Sequence, residues 1–283
     1  METHVRREEK AKILITGASG FIATHLISEL PEEELLLISR NEKLKEKYPS
    51  ATFIPFSEEN LQRAVKLYRP EVVVNFLGIL KESKEETFEK VHFNYTKLLV
   101  DASLKSGVRK FVQISALGVT DKTRSRYYRT KFQAEEYIKQ AGIPYVIFRP
   151  SIVMGRGQKL FEDLKLISKL TPLIIVPKYR VQPVNVKDVV GAIRKAIFED
   201  ITGIYELCGK RVVSLKELFQ FVLSCIGKRR IVIEAPKQIL LPLALLGVGM
   251  TLDQYYMMEM DNVCLVDGFK KLGITPLPGL VCN

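Results

Sequence analysis

Tyr127 and Lys131 stand four residues apart in a stretch, Tyr127–Gln140, whose pattern predicts a helix, so both side chains leave the same helix face. Of the 11 tyrosines, only Tyr127 has a lysine at that offset. Composition alone would produce about one such pair by chance, so its position carries the weight. The helix follows a predicted strand, KFVQIS at 110–115, that ends on Ser115. A phenol beside an ammonium can exchange a proton with a substrate oxygen, and a serine hydroxyl can hold that oxygen. A second signal lies upstream, at Thr16-Gly17-Ala18-Ser19-Gly20-Phe21-Ile22-Ala23. It follows an apolar strand and opens a helix. There Gly17 permits a tight turn and Gly20 lets backbone amides approach a pyrophosphate at the helix N-terminus. Ala23 stands where a third glycine often packs helix on sheet. At the next strand tip, Ile38-Ser39-Arg40-Asn41, no carboxylate is present to take ribose hydroxyls, and Arg40 can meet a 2′-phosphate with charge-assisted bonds. These residues together describe carbonyl reduction or alcohol oxidation with a nicotinamide dinucleotide, NADP(H) being expected and NAD the alternative. The Lys131 ammonium and the cationic nicotinamide are expected to lower the proton affinity of Tyr127.

Such residues meet only if the chain alternates strands and helices. Apolar runs at Ile13–Ile15, Glu34–Ser39, Thr52–Pro55, Glu71–Phe76, Lys110–Ser115 and Tyr145–Phe148 read as strands. Helical patterns cover about Gly20–Leu30, Glu59–Tyr68, Phe88–Ser106 and Tyr127–Gln140. Continuous apolar strands separated by helices imply a parallel sheet covered on both faces, and right-handed crossovers make it doubly wound. The expected class is α/β, a doubly wound parallel-sheet Rossmann fold with a small C-terminal substrate lobe. Residues 1–150 form the dinucleotide-binding domain, to which 183–208 return as a helix and strand; 151–182 and 209–283 form the lobe for substrate or partner. Ser214, with Glu217 three residues on, predicts a capping box.

The chain has 283 residues and a formal net charge of +11. No basic run is interleaved with aromatics, so a nucleic-acid partner is not expected. The densest cationic cluster is Lys228-Arg229-Arg230, read as a solvated loop. His4, His25 and His92 are scattered and no cysteine pair has metal spacing, so no metal is expected. Cys208, Cys225, Cys264 and Cys282 read as free thiols in a reducing compartment, hence a cytoplasmic protein. The opening METHVRREEK has no apolar core and predicts no secretory signal. The uncharged stretch 238–252 is too short to span a bilayer and contains Pro242. Its leucines are too dense for one helical stripe. It is expected either to roof the substrate pocket or, less favoured, to dock on a membrane surface or complex partner.

The chain resembles the extended or atypical short-chain dehydrogenase/reductases, the NAD-dependent epimerase/dehydratase type. It carries TGASGFIA at 16–23, VVNFLG at 73–78, HFNYTKLLVDAS at 92–103, QISALG at 113–118, YYRTK at 127–131 and FRPSIVMG at 148–155. Within that superfamily it is most similar to the branch of the NADPH-binding accessory subunit of respiratory complex I, through 125–136, 181–193 and 251–263. The resemblance implies that Gly17, Ser19, Gly20, Phe21 and Ile22 line the pyrophosphate, with Ser39 and Arg40 beside the ribose. Phe76, Leu77 and Gly78 pass under the adenosine. Asn94 matches a helix asparagine near the site. Pro150 and the residues after it, Ile152 among them, contact the nicotinamide carboxamide. Ser115, Tyr127 and Lys131 match the catalytic serine, tyrosine and lysine. The family's frequent aspartate after the third strand is missing from Ile54-Pro55-Phe56-Ser57. The expected function is thus an oxidoreductase, epimerase or dehydratase acting on a small carbonyl or hydroxyl substrate, a nucleotide sugar being one option. The rival is a non-catalytic NADP(H)-binding accessory subunit. A monomer and a homodimer fit equally.

Overall fold

In a computed structural model, residues 13–247 and 249–282 are described. The readings that concern the first ten residues, His4 and Val248 lie outside them. The chain order begins β1 (Ile13–Thr16), α1 (Phe21–Ile27), β2 (Leu35–Ser39), α2 (Lys43–Lys47), β3 (Thr52–Pro55), α3 (Glu58–Tyr68) and β4 (Val72–Asn75). It continues with α4 (Tyr95–Ser106), β5 (Lys110–Ile114), α5 (Arg126–Gln140) and β6 (Tyr145–Pro150). Then come β7 (Val153–Met154), α6 (Lys159–Leu170), β8 (Leu173–Pro177), β9 (Arg180–Val181), β10 (Val184–Asn185) and α7 (Val186–Phe198). The last elements are β11 (Gly203–Leu207), β12 (Val213–Ser214), α8 (Leu215–Cys225), β13 (Ile231–Ala235), α9 (Leu241–Leu245), α10 (Leu252–Met257) and α11 (Gly268–Leu272).

Seven strands form one parallel sheet in the order β11-β6-β5-β4-β1-β2-β3. The α/β doubly wound reading therefore holds. Every residue of β1, β2, β4 and β5 is buried, as a sheet covered on both faces requires. One apolar cluster lies between the sheet and α1 and α7, around Leu26, Val189 and Ile193. The other lies between the sheet and α3, α4 and α5, around Val65, Leu99 and Ile138. The strand order reverses between β1 and β4, and in open α/β sheets that is where ligands bind, beyond the carboxyl ends of the strands.

The predicted helix over 88–106 opens with a π-turn, Glu89–Asn94, before α4 begins. Such turns insert a residue and reset which side chains face inward, and they cluster at functional sites. After β6, a separate apolar cluster joins α6, α8, β8 and β13 around Leu164, Ile174, Leu218 and Val232. The expected capping box is formed: Ser214 accepts from the Glu217 amide and the Glu217 carboxylate accepts from the Ser214 amide.

The reading of four free thiols is overturned. Cys208 is bonded to Cys264 and Cys225 to Cys282. The partners are 56 and 57 residues apart, so only the fold brings them together, and no local spacing could announce them. Among the described residues no helix is long and apolar enough to cross a membrane.

Candidate functional site

The cleft at the strand reversal is built from the β1–α1 turn, the tip of β2, and the chain leaving β4. It encloses about 150 Å³, lined by Gly17, Ser19, Gly20, Arg40, Phe56 and Phe76, with Leu77, Gly78, Ile79, Glu86, Val91 and Tyr95 completing it. Gly17 has φ +65°, and a Cβ there would lie 3.1 Å from the Phe76 carbonyl carbon. A side chain there would thus crowd the Phe76 backbone as well as strain its own, which favours glycine in this turn. Gly20 is the N-cap of α1 and supplies no side-chain cap, which leaves the first-turn amides to an external acceptor. The Ser39 hydroxyl donates to Ser19 Oγ at 3.0 Å and accepts from the Asn41 amide, tying the tip of β2 to the glycine turn.

Below the cleft, Asn75 ends β4 in a buried polar cluster. Its Oδ1 accepts from Thr16 Oγ1 at 2.6 Å and from the Leu77 amide at 3.1 Å. Its Nδ2 donates to Thr96 and Gln113. Four elements are thus locked by one satisfied side chain, which fixes the Phe76–Gly78 wall. Sequence reading missed Asn75, although a lone asparagine closing an apolar strand was the available signal. A glycine turn shaped this way, with uncapped amides facing the Phe76–Gly78 wall, fits a dinucleotide pyrophosphate.

Arg40 reaches over the cleft but is not free. Its Nη1 donates to Glu86 Oε2 at 2.9 Å, and its guanidinium lies 5.5 Å from the Phe56 ring centroid. Phe56 stands directly after β3, in the place of the polar contact that the family's aspartate would make there.

The α5 residues meet the cleft at Gly78, where an ideal Cβ would lie 3.5 Å from Lys131 Nζ. Lys131 is buried, and burial pulls its ammonium down to about 8, against an opposing effect from the Glu135 charge. Nζ lies 3.5 Å from the Ile114 carbonyl and 5.4 Å from the Tyr127 ring centroid. Tyr127 is buried in an aromatic cluster, edge-on to Phe88, His92 and Tyr128. Its proton affinity differs from the expectation. Burial pushes the phenol well above its usual value, and the Tyr128 and Asp253 charges add to this. Lys131 lies over the ring, and its ammonium does not offset the desolvation.

Ser115 is buried at the end of β5, but its hydroxyl donates to the Glu135 carboxylate, which is also held by Arg149. The β5 neighbour that touches the Tyr127 cluster is Ala116. Asn94 is exposed and does not line the cleft. The π-turn instead brings His92 inward, with Nδ1 3.0 Å from Thr130 Oγ1 and Nε2 3.2 Å from the Ile79 backbone. Burial, then the Lys131 charge, takes the imidazole down to about 2, so it is neutral. The residues Phe21, Ile22 and Ile152 are partly buried, and Pro150 is buried at the end of β6.

The C-terminal segment closes the site from the other side. Asp253 on α10 accepts from Ser125 Oγ at 2.8 Å and from the Arg126 and Tyr127 amides, at 2.6 and 3.3 Å. A carboxylate thereby caps the positive end of the helix that carries Tyr127 and Lys131. Met257 packs on the Tyr127 cluster, and Arg124 pairs with Glu259. No local motif could show a contact spanning more than 120 residues of sequence.

The sequence profile of the NAD dependent epimerase/dehydratase family matches residues 13–197. The 40 kDa subunit of mitochondrial NADH-ubiquinone oxidoreductase from Neurospora crassa is 26% identical over 242 residues, covering 81% of this chain and 64% of that protein. The ceramide reductase of Caulobacter vibrioides is 22% identical over 211 residues, covering 72% of this chain and 66% of that protein. The chain thus spans about two-thirds of the length of these curated relatives. The Bordetella bronchiseptica enzyme WbmH, solved in complex with NAD+, superposes with a TM-score of 0.67 over 79% of this chain and 85% of that one, at 20% identity, which shows the shared fold.

Proposed function

Because this chain belongs to the NAD dependent epimerase/dehydratase family, we propose that it binds NADP(H) in the cleft between the β1–α1 turn and Arg40 and reduces or oxidises a small, largely apolar carbonyl or hydroxyl compound at Tyr127. The observation that carries the reading is the meeting of Lys131 with Gly78, which joins the Tyr127 helix to the wall of the nucleotide cleft. Gly17, Ser19, Gly20, Phe21 and Ile22 receive the pyrophosphate. Arg40, beside Ser39, receives the 2′-phosphate in place of Glu86. When bound, the nicotinamide gives or takes the hydride. Tyr127, held protonated by burial, is the acid that hands its proton to a carbonyl oxygen in the reductive direction. Lys131 orients the ribose. Besides His92 and Lys131, the Tyr127 cluster is packed with apolar side chains, Ile79, Phe88, Ala116, Val119 and Met257. They favour a lipid-like substrate over a nucleotide sugar.

One observation favours a second reading, a dinucleotide-binding accessory subunit without turnover. Ser115 gives its hydroxyl to Glu135, and Met257 packs on the cluster that holds Tyr127. The similarity to the N. crassa subunit points the same way. The Tyr127→Phe variant separates the two. If the reductase reading holds, turnover of an identified carbonyl substrate falls by at least about a hundredfold, while NADPH affinity stays within about twofold. Parental turnover in Tyr127→Phe, or no turnover by the parent across a panel of long-chain ketones, refutes the catalytic assignment.

A further inference from the structure

The strands β8 and β13 pair in parallel, apart from the main sheet, with Ile231 beside Leu173 and Ile233 beside Ile175. Their alternate residues Ile174, Val176 and Val232 are buried against α6 and α8. The pleat therefore sends the four partners Leu173, Ile175, Ile231 and Ile233 to the opposite face, where all are exposed, Ile231 by 64%. A two-stranded sheet with a four-residue aliphatic ladder on its outer side is not how a free surface is usually composed. Leu170, 78% exposed, leads into β8 at the same end as Ile231, whose amide bonds the Pro172 carbonyl. At the far end β13 leads through Pro236 and a short 3-10 turn to α9, at whose C-terminal end Leu245 and Leu246 are also exposed, Leu246 by 77%.

Immediately before Ile231 lies an open basic groove of about 550 Å³, lined by Gln220, Ser224, Gly227, Lys228, Arg229 and Arg230 together with Leu223. No carboxylate lines it. Arg230 is fixed by donating to the Ser168 carbonyl at 2.8 Å. Among the described residues, Lys228 and Arg229 pair with no acid. We propose that the β8–β13 ladder and this groove together form a docking surface for an anionic lipid bilayer. The groove takes phosphate headgroups, while the ladder and the Leu245–Leu246 corner sink into the interfacial layer. Charge complementarity supports a lipid surface, since Lys228 and Arg229, which pair with no acid among the described residues, lie in the loop that runs directly into Ile231 of the apolar strip. Aliphatic side chains beside cations are the composition of a peripheral membrane surface. The site lies outside the nucleotide cleft and does not depend on the catalytic reading.

Flotation of the full chain with vesicles tests it, using equal parts phosphatidylcholine and phosphatidylglycerol against phosphatidylcholine alone, at low and high salt. The parent is expected to float with anionic vesicles and to bind the neutral ones at least about tenfold more weakly. Ile231→Thr with Ile233→Thr should lower anionic-vesicle affinity by about tenfold or more. Leu245→Ser with Leu246→Ser, outside the strands, should do likewise without risk to the sheet. Lys228→Gln with Arg229→Gln should weaken binding about tenfold and remove most of its salt dependence. NADPH binding and the melting temperature should stay at parental values in all three. The proposal is overturned if the parent does not float, if it binds neutral vesicles equally, or if both apolar variants float like the parent. A parent that instead forms dimers dissociated by the ladder variants, with no flotation, assigns the face to self-association.

Discussion

The ion pair between Arg40 and Glu86 makes cofactor choice quantitative. Arg40 Nη1 and Glu86 Oε2 are 2.9 Å apart, and the Arg40 side chain is 64% exposed. An exposed pair of this kind contributes little to stability, on the order of 0–1 kcal/mol. Breaking it therefore costs a ligand little. The larger effect is repulsion, because a 2′-phosphate that takes Arg40 must sit beside the Glu86 carboxylate. For a charge of about −2 at roughly 5 Å from a carboxylate, in surroundings close to water, Coulomb's law gives about 2 kcal/mol. Salt screening reduces this to about 1–1.5 kcal/mol, roughly five- to tenfold in affinity. Glu86→Gln should therefore tighten NADPH about five- to tenfold and change NADH less than about twofold. Arg40→Ala should weaken NADPH by about 1.5–3 kcal/mol, the value of a charge-assisted contact, and again spare NADH. Isothermal titration at fixed low salt measures all four combinations. An unchanged NADPH affinity in Glu86→Gln, or an equal gain for NADH, would show that Arg40 does not read the 2′-phosphate.

Three other outcomes follow from the buried groups and the tail. His92 is held neutral to about pH 2, whereas an unfolded histidine protonates near 6.5. The unfolded chain thus binds the extra proton, and stability should fall as pH drops from about 6.5 towards 2, by about 1.4 kcal/mol per unit from this residue. Denaturant titrations of parent and His92→Gln should show the flatter pH slope in the variant. Reducing the Cys208–Cys264 and Cys225–Cys282 bonds, each closing more than 50 residues, should cost about 2–4 kcal/mol apiece, read as a lower melting temperature with reductant. Asp253→Ala removes the carboxylate from the start of α5 and should cost about 1–2 kcal/mol in chemical denaturation.

The sheet was legible because buried parallel strands read as uninterrupted aliphatic runs: ILI at 13–15, LLLI at 35–38 and VVV at 72–74 each lie where the pattern put them. The glycine turn was legible because Gly17 and Gly20 meet local steric demands that only a few residue types satisfy. What depends on tertiary register was not. A π-turn cannot be seen in EKVHFN, so Asn94 is expected near the site, whereas the structure leaves it exposed and turns His92 inward. Ser115 is expected to hold the same substrate oxygen as Tyr127, but it stands just past β5 and its hydroxyl goes to Glu135, which Arg149 also holds. The disulfides, the Asp253 cap and the Arg40–Glu86 pair all join segments more than 40 residues apart. The uncharged 238–252 stretch proved neither wholly core nor wholly surface: Leu240 and Ala244 are buried, while Ile239, Leu243, Leu245 and Leu246 are exposed. Short turns of helix present two faces, and density of leucine alone does not say which face the core takes.

The central claim, that the β1–α1 turn and Arg40 hold NADP(H), is tested most directly by calorimetric titration of the unmodified chain with NADPH and with NADH. One NADPH should bind per chain, about tenfold or more tighter than NADH. Equal affinities for the two, or no heat of binding for either, would contradict the account.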